Sequence, residues 1–239
     1  MTALLRYQAQ ILLRSHRWIF PLIGYALLIA VGAAGSTTLA ETLDWSGAML
    51  VPFTAFLTRA MLTAEPDAAR ACVAAAAGPV RAQLATLMVP LGFGVLLAVV
   101  ATVFGVLTAA PATSGSVSGL FGKVTAAAGH PGIVVGGLLI ALVCLLVGSA
   151  AGALCNPPLL RHPGVAMLST LSAIVIGLVT AVSPANAAIS HTQAQAAGPL
   201  TANWPDPGAL AGAACLVAVT WAASLYAAAR RDTRTLDSA

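Results

Sequence analysis

An all-α integral membrane protein with six transmembrane helices and both termini in the cytoplasm is the fold class that the sequence predicts, on three observations. Hydrophobic residues fill 59% of the 239 positions and charged residues only 8%, against roughly a quarter charged in a soluble domain; the mean hydropathy is +0.92. Six continuous apolar runs are each suited to bridging a hydrocarbon core of about 30 Å at about 1.5 Å per residue. The arginines and lysines fall almost wholly on one side of those runs. Helices follow rather than a barrel, because the runs do not alternate and each helix satisfies its own backbone groups in lipid.

The elements follow in order. Residues 1–17, MTALLRYQAQILLRSHR, set Arg6, Gln10, Arg14 and Arg17 on one helical face, with Leu4, Leu5, Ile11 and Leu12 broadly opposite and Gln8 breaking the apolar stripe. This reads either as an amphipathic helix lying in the membrane interface or as a basic flank to the first span. The first span, 18–36, opens on an interfacial Trp-Ile-Phe-Pro, is full length and lacks a small-residue cleavage site, so it reads as retained rather than as a signal peptide. A loop with Glu41 and Asp44 leads to the second span, 47–63, which contains Arg59.

Residues 67–78 form a short helix between the second and third spans. Pro66 and Asp67 suit its start, the residues from Ala68 to Ala77 are mostly strong helix formers, and Gly78-Pro79 stops it. The third span, 84–107, contains Pro90, which predicts a kink or hinge. The fourth, 133–154, carries glycines four apart at its approach and its end, Gly132 and Gly136, then Gly148 and Gly152, which allow close helix packing. The fifth span is 165–182. Residues 183–207, rich in proline, form an outer segment that re-enters the membrane as short helical pieces; the sixth span is 209–229 and the tail is 230–239.

Nine basic residues, Arg6, Arg14, Arg17, Arg70, Arg81, Arg161, Arg230, Arg231 and Arg234, lie on the side of the termini, and Lys123 lies on the other. The positive-inside rule therefore places both ends in the cytoplasm, with Arg59 snorkelling towards the same side. The basic excess is a topology signal and does not call for nucleic acid.

Several chemistries are disfavoured. The four cysteines form no C-x-x-C pair and the four histidines are scattered, so neither a disulfide framework nor a metal site is expected. Acids are nearly absent from the predicted spans, which argues against an ion-coupled carrier, an intramembrane protease and a metal-dependent lipid enzyme. Span hydroxyls such as Thr54, Thr58, Ser149, Ser169, Ser172 and Thr220 have no neighbouring base and are expected to bond within or between helices. Gly122-Lys123 is not a phosphate loop, since Val117 and Val124 stand where glycine and a hydroxyl residue are needed.

The layout resembles the permease subunits of ABC-2 type transporters, particularly compact actinobacterial ones. In that family an amphipathic helix precedes six spans, and a coupling helix joins the second to the third. Glu65, Asp67, Arg70 and Gly78-Pro79-Val80-Arg81 match the coupling-helix pattern, although an alanine run broken by Arg70, Cys72 and Val73 replaces the usual more polar body. The resemblance implies a subunit of the bacterial cytoplasmic membrane that does not hydrolyse ATP itself and holds no cofactor. ATP and Mg would be bound by a separate ATPase subunit docking on Glu65, Asp67, Arg70, Cys72, Val73, Ala76, Gly78, Pro79 and Arg81. Its other partners would be membrane lipid and a second permease, identical or homologous. Pro90 would absorb part of the motion, and Arg6, Arg14 and Arg17 would seat the interfacial helix.

Spans lined by alanine, leucine, valine and phenylalanine suit export of a hydrophobic or amphiphilic compound such as an antibiotic, a lipid or a peptide. Two rivals stand beside this reading. One is a signalling or assembly subunit coupled to a cytoplasmic ATPase without transport of its own; the other is an ion-coupled carrier, which the missing acids and the lack of an inverted repeat disfavour.

Overall fold

The structure, a computed structural model, describes residues 1–35, 38–108, 131–155, 163–180, 182–196 and 205–236. Lys123, His130, Arg161, His162 and Pro199 lie outside these residues, as do the side chains of Asp67, Arg231 and Arg234. All regular structure among the described residues is helical: α1 Thr2–Ser15, α2 Ile19–Gly35, α3 Leu39–Leu62, α4 Asp67–Ala77, α5 Pro79–Thr108, α6 Pro131–Leu154, α7 Pro163–Val179, α8 Pro184–Ala196 and α9 Pro207–Leu236.

Four helical stretches among the described residues are long and apolar enough to cross a membrane: Pro79–Thr108, Pro131–Leu154, Gly164–His191 and Pro207–Arg230. A fifth is added if α1 and α2, bent by 76° at their junction, count as one broken span. Four or five is fewer than the six that the sequence predicts, and the causes are local. α2 is only 17 residues long, and α3 carries Glu41, Asp44 and Arg59.

α3 starts eight residues before the predicted second span, at Leu39 rather than Gly47. A capping box explains the early start: the Glu41 amide donates to Thr38 Oγ1 at 3.2 Å, and the Thr38 amide donates to Glu41 Oε2 at 3.2 Å. The two hydrogen bonds satisfy donors that a helix start otherwise leaves open. Glu41 and Asp44 are thereby moved from a loop onto the first turns of a helix, and Asp44 is buried. At the other end of the chain, α9 continues to Leu236, so most of the predicted tail prolongs a helix. α5 runs through Pro90 as a single helix, and α3 contains an interior proline of its own, Pro52.

α3 is the axis of the bundle. Leu43, Leu50, Val51, Leu57 and Met61 on it are essentially inaccessible, and α6 lies along its length. Glycine makes that approach close. A Cβ on Gly152 would stand 2.7 Å from the Ala55 carbonyl oxygen and 2.7 Å from Thr58 Cβ, and one on Gly148 would collide with Thr54 Oγ1 and the Val51 backbone. The Gly148/Gly152 pair is therefore occupied within the chain, against α3. α8 is driven into the same core: Ala185 and Ala188 are fully buried beside Val51, Ile140, Cys144 and Ala213, and Asn186 Nδ2 donates to the Leu178 carbonyl of α7 at 2.7 Å.

The outward faces are apolar. Phe20 is 87% exposed on α2, and Leu27, Val100, Leu168, Val175 and Val219 stand exposed on α2, α5, α7 and α9. A surface of this kind is adverse in water and natural in hydrocarbon. Among its described residues the chain is thus all-helical, with the build of a multi-pass membrane protein.

Substituting Gly152→Leu forces α6 off the α3 backbone, and overpacking of this kind costs about 1–3 kcal/mol. The unfolding midpoint in detergent is expected to fall by several degrees, whereas Gly24→Ala, whose Cβ would meet nothing within 4 Å, leaves it unchanged.

Candidate functional site

The carbonyl end of α3 is where polar chemistry concentrates. A helix C-terminus carries unpaired carbonyls and a partial negative charge, which arginines satisfy best. Arg70 on α4 donates through Nη2 to the Leu62 carbonyl at 2.7 Å and to the Glu65 carbonyl at 3.3 Å. Arg17, from the α1–α2 junction, donates through Nη1 to the Thr63 carbonyl at 3.1 Å. Two arginines from separate elements thus hold one helix end.

Glu65 ties a third connection into this knot. Its side chain is buried and accepts from α1 at both oxygens: Tyr7 Oη donates to Oε1 at 3.3 Å and Gln8 Nε2 to Oε2 at 3.3 Å. Gln8, which spoils the apolar stripe in the sequence, is 1% exposed. Partial desolvation first, and then the neighbouring Glu65 carboxylate, push the Tyr7 phenol above its ordinary range although the residue as a whole is exposed, and the hydroxyl is a donor. His16 adopts a left-handed conformation, φ 55°, at the junction that turns α1 sharply away from α2.

α4 is positioned by its ends. Arg70 fastens its first turn to α3, while Gly78, with φ 87°, ends it and donates its amide to the Ala74 carbonyl at 2.8 Å. A residue with a side chain is strained at that φ, which explains why glycine stands there. Pro79 begins α5 at once, so α4 and α5 meet without a flexible linker. Ala68, Ala71, Cys72, Ala75 and Ala76 are exposed along one stripe of α4, at the i, i+3, i+4, i+7 spacing of one face.

Between α4 and α1 lies an apolar groove of about 370 Å³, lined by Cys72, Val73 and Ala76 from one side and by Ala3, Leu4 and Tyr7 from the other. Of the residues singled out in the sequence, the structure brings Glu65, Arg70, Cys72, Val73 and Ala76 together at this corner, with Arg17 beside them. Arg81 is exposed one turn beyond Gly78, and Arg6 and Arg14 are exposed on α1. Pro90 is buried on α5, further along that helix. Asp67 opens α4, and its side chain is outside the described residues. Tyr7 and Gln8 belong to the corner and were not singled out by the sequence pattern. Among the described residues no three His, Cys, Asp or Glu side chains gather in a metal-binding arrangement.

Comparison with protein-family models, with curated proteins and with solved structures finds no match to the chain.

Breaking the Glu65 knot loosens α1 from the α3–α4 turn. Losing hydrogen bonds to a buried charged group costs about 1.5–3 kcal/mol, so Gln8→Leu or Glu65→Leu is expected to raise amide hydrogen exchange in α1 at least tenfold. Exchange in α6 is expected to change little.

Proposed function

We propose that the chain is the membrane-spanning permease subunit of an ATP-driven transporter of the ABC-2 type, in which α4 is the coupling helix. The six spans of this reading are α2, α3, α5, α6, α7 and α9, with both termini and α4 in the cytoplasm by the positive-inside rule. α3 crosses despite its charges because other helices shield it from lipid. α1 lies along the cytoplasmic interface with Arg6 and Arg14 facing anionic headgroups. The location is the bacterial cytoplasmic membrane.

The observation that carries this reading is the arrangement around α4. A short helix with a smooth, exposed, small-residue face is fixed at its start to α3 by Arg70, joined at its end directly to α5 through Gly78-Pro79, and flanked by α1. An element that only connected two spans would need neither the arginine lock nor the Glu65 tie to α1. Held in this way, α4 passes a push from below to α3 and α5 together. Small side chains suit a surface gripped by a partner, because helix and partner backbone can come close.

In this reading a separate ATPase subunit binds ATP and Mg, and its closure shifts α4 as a rigid body and tilts the spans above it. The permease itself performs no hydrolysis, and a second permease copy or a homologue completes the translocation path. The cargo is a hydrophobic or amphiphilic compound moved outwards.

The test is copurification. A nucleotide-binding subunit encoded with this chain is expected to copurify with it. Ala76→Asp, which places a charge on the exposed face of α4, is expected to reduce that recovery at least tenfold while the permease keeps its own unfolding midpoint. Full recovery despite the aspartate would refute docking on α4.

A further inference from the structure

A cavity of about 720 Å³ lies at the opposite end of α3 from Glu65, between α2, α3, α7 and α8, with Gly35, Glu41, Asp44, Trp45, Leu178 and Ile189 in its walls. Its volume is in the range that takes a drug-sized molecule. The walls combine three features that sequence position alone did not bring together: apolar side chains from α7 and α8, an aromatic ring, and two carboxylates one turn apart on α3. Among the described residues no lysine, arginine or histidine lines it.

The aromatic wall is built in place. Trp45 Nε1 donates to the Leu28 carbonyl of α2 at 2.9 Å, and its ring lies so close to Gly32 that a Cβ there would collide with it. Gly35, one turn further on, leaves open space: a Cβ there would meet nothing within 4 Å. Asp44 is only 5% exposed, and it neighbours Leu43 and stands one turn from Ala48 on a helix whose other residues are largely apolar. A carboxylate withdrawn from water projects a stronger field than one in solvent, and a buried acid within a bundle of apolar helices points to a ligand or ion path.

We infer that this cavity is a binding site for an organic cation with an apolar body. The charge would sit against Asp44 and Glu41 and over the Trp45 ring, where carboxylate and π-face both attract a cation. The apolar body would pack on Leu178 and Ile189. The inference concerns binding by this chain alone and stands apart from the transport reading.

The probe is tetraphenylphosphonium, with tetraphenylborate as an anion of closely similar size and shape, in equilibrium dialysis against the purified chain in phosphatidylcholine nanodiscs. Saturable binding of the cation is expected, with tetraphenylborate binding no better than to empty nanodiscs. Asp44→Asn is expected to weaken cation binding about tenfold or more. Glu41→Gln keeps an acceptor for the Thr38 amide and is expected to weaken binding less. Gly35→Leu fills the cavity from a position with free space and is expected to abolish saturable binding without lowering the unfolding midpoint, so the test holds even if Asp44→Asn fails to fold. Equal binding of the two probes, which is what a simple lipid-facing crevice would give, overturns the inference. So does unchanged cation affinity in Gly35→Leu and Glu41→Gln.

Discussion

The closeness of α3 to α6 is the constraint on which the rest depends. Inside a bilayer, apolar side chains gain little by leaving lipid for one another, and helix association rests on packing and on what polar groups can reach. Gly148 and Gly152 remove the side chains that would keep the two backbones apart, and the Val51 and Ala55 backbones fill the space. The same device recurs where Gly94 of α5 meets Thr54 and Leu145, and where Gly137 of α6 meets Leu43. Once α3 is gripped over its length, its polar residues can be carried through the bundle: Asp44 is buried, Arg59 is half-buried and Glu41 is exposed at the start.

Those ends hold the two sites. Asp44 and Glu65 are separated by 21 positions, almost all of them on α3, which is about 30 Å at about 1.5 Å per residue. One continuous helix therefore joins a corner knotted by Glu65, Arg17 and Arg70 to a cavity walled by Asp44 and Trp45. In the proposed coupling, a displacement of α4 reaches α3 directly, since Arg70 bonds to its terminal carbonyl, and Pro52 lies on the path between the two ends. α2 shares in this, because the Trp45 indole is hydrogen-bonded to it near the cavity and Tyr25 donates to the Ser46 carbonyl at 3.2 Å.

What could be read from the sequence were features whose cause is local. The apolar runs mark the cores of the long helices, and Gly78-Pro79 marks the break between α4 and α5, because a left-handed glycine and a residue without a donor act through their own backbones. What could not be read depends on partners far along the chain. Gln8 looks like a flaw in an amphipathic stripe until Glu65, 57 positions away, is found against it. Asp44 reads as a loop acid, although the Thr38–Glu41 capping box just before it signals a helix start in the sequence itself; its burial, by contrast, depends on the packing of other helices around α3. Gly148 and Gly152 are legible as a packing pair, but nothing local says that the surface they meet is α3 of the same chain.

The hydroxyl groups decide how freely the bundle can move. Thr54, Thr86, Thr102, Thr170 and Thr220 each donate to the carbonyl four residues earlier on their own helix, and Ser149 donates to the carbonyl three earlier. They satisfy themselves and bind no neighbour, so the helices are held mainly by contact between smooth surfaces. Among the described residues, side-chain ties between long helices include Gln83 Nε2 donating to Ser224 Oγ at 3.0 Å between α5 and α9. Smooth packing resists separation far more than it resists a small slide or tilt, because sliding exchanges one set of van der Waals contacts for another without stranding a polar group in lipid. A bundle so built is stiff along each helix and yielding between helices. That combination suits the coupling role proposed for α4, in which motion passes along α3 while α5 and α9 adjust around it.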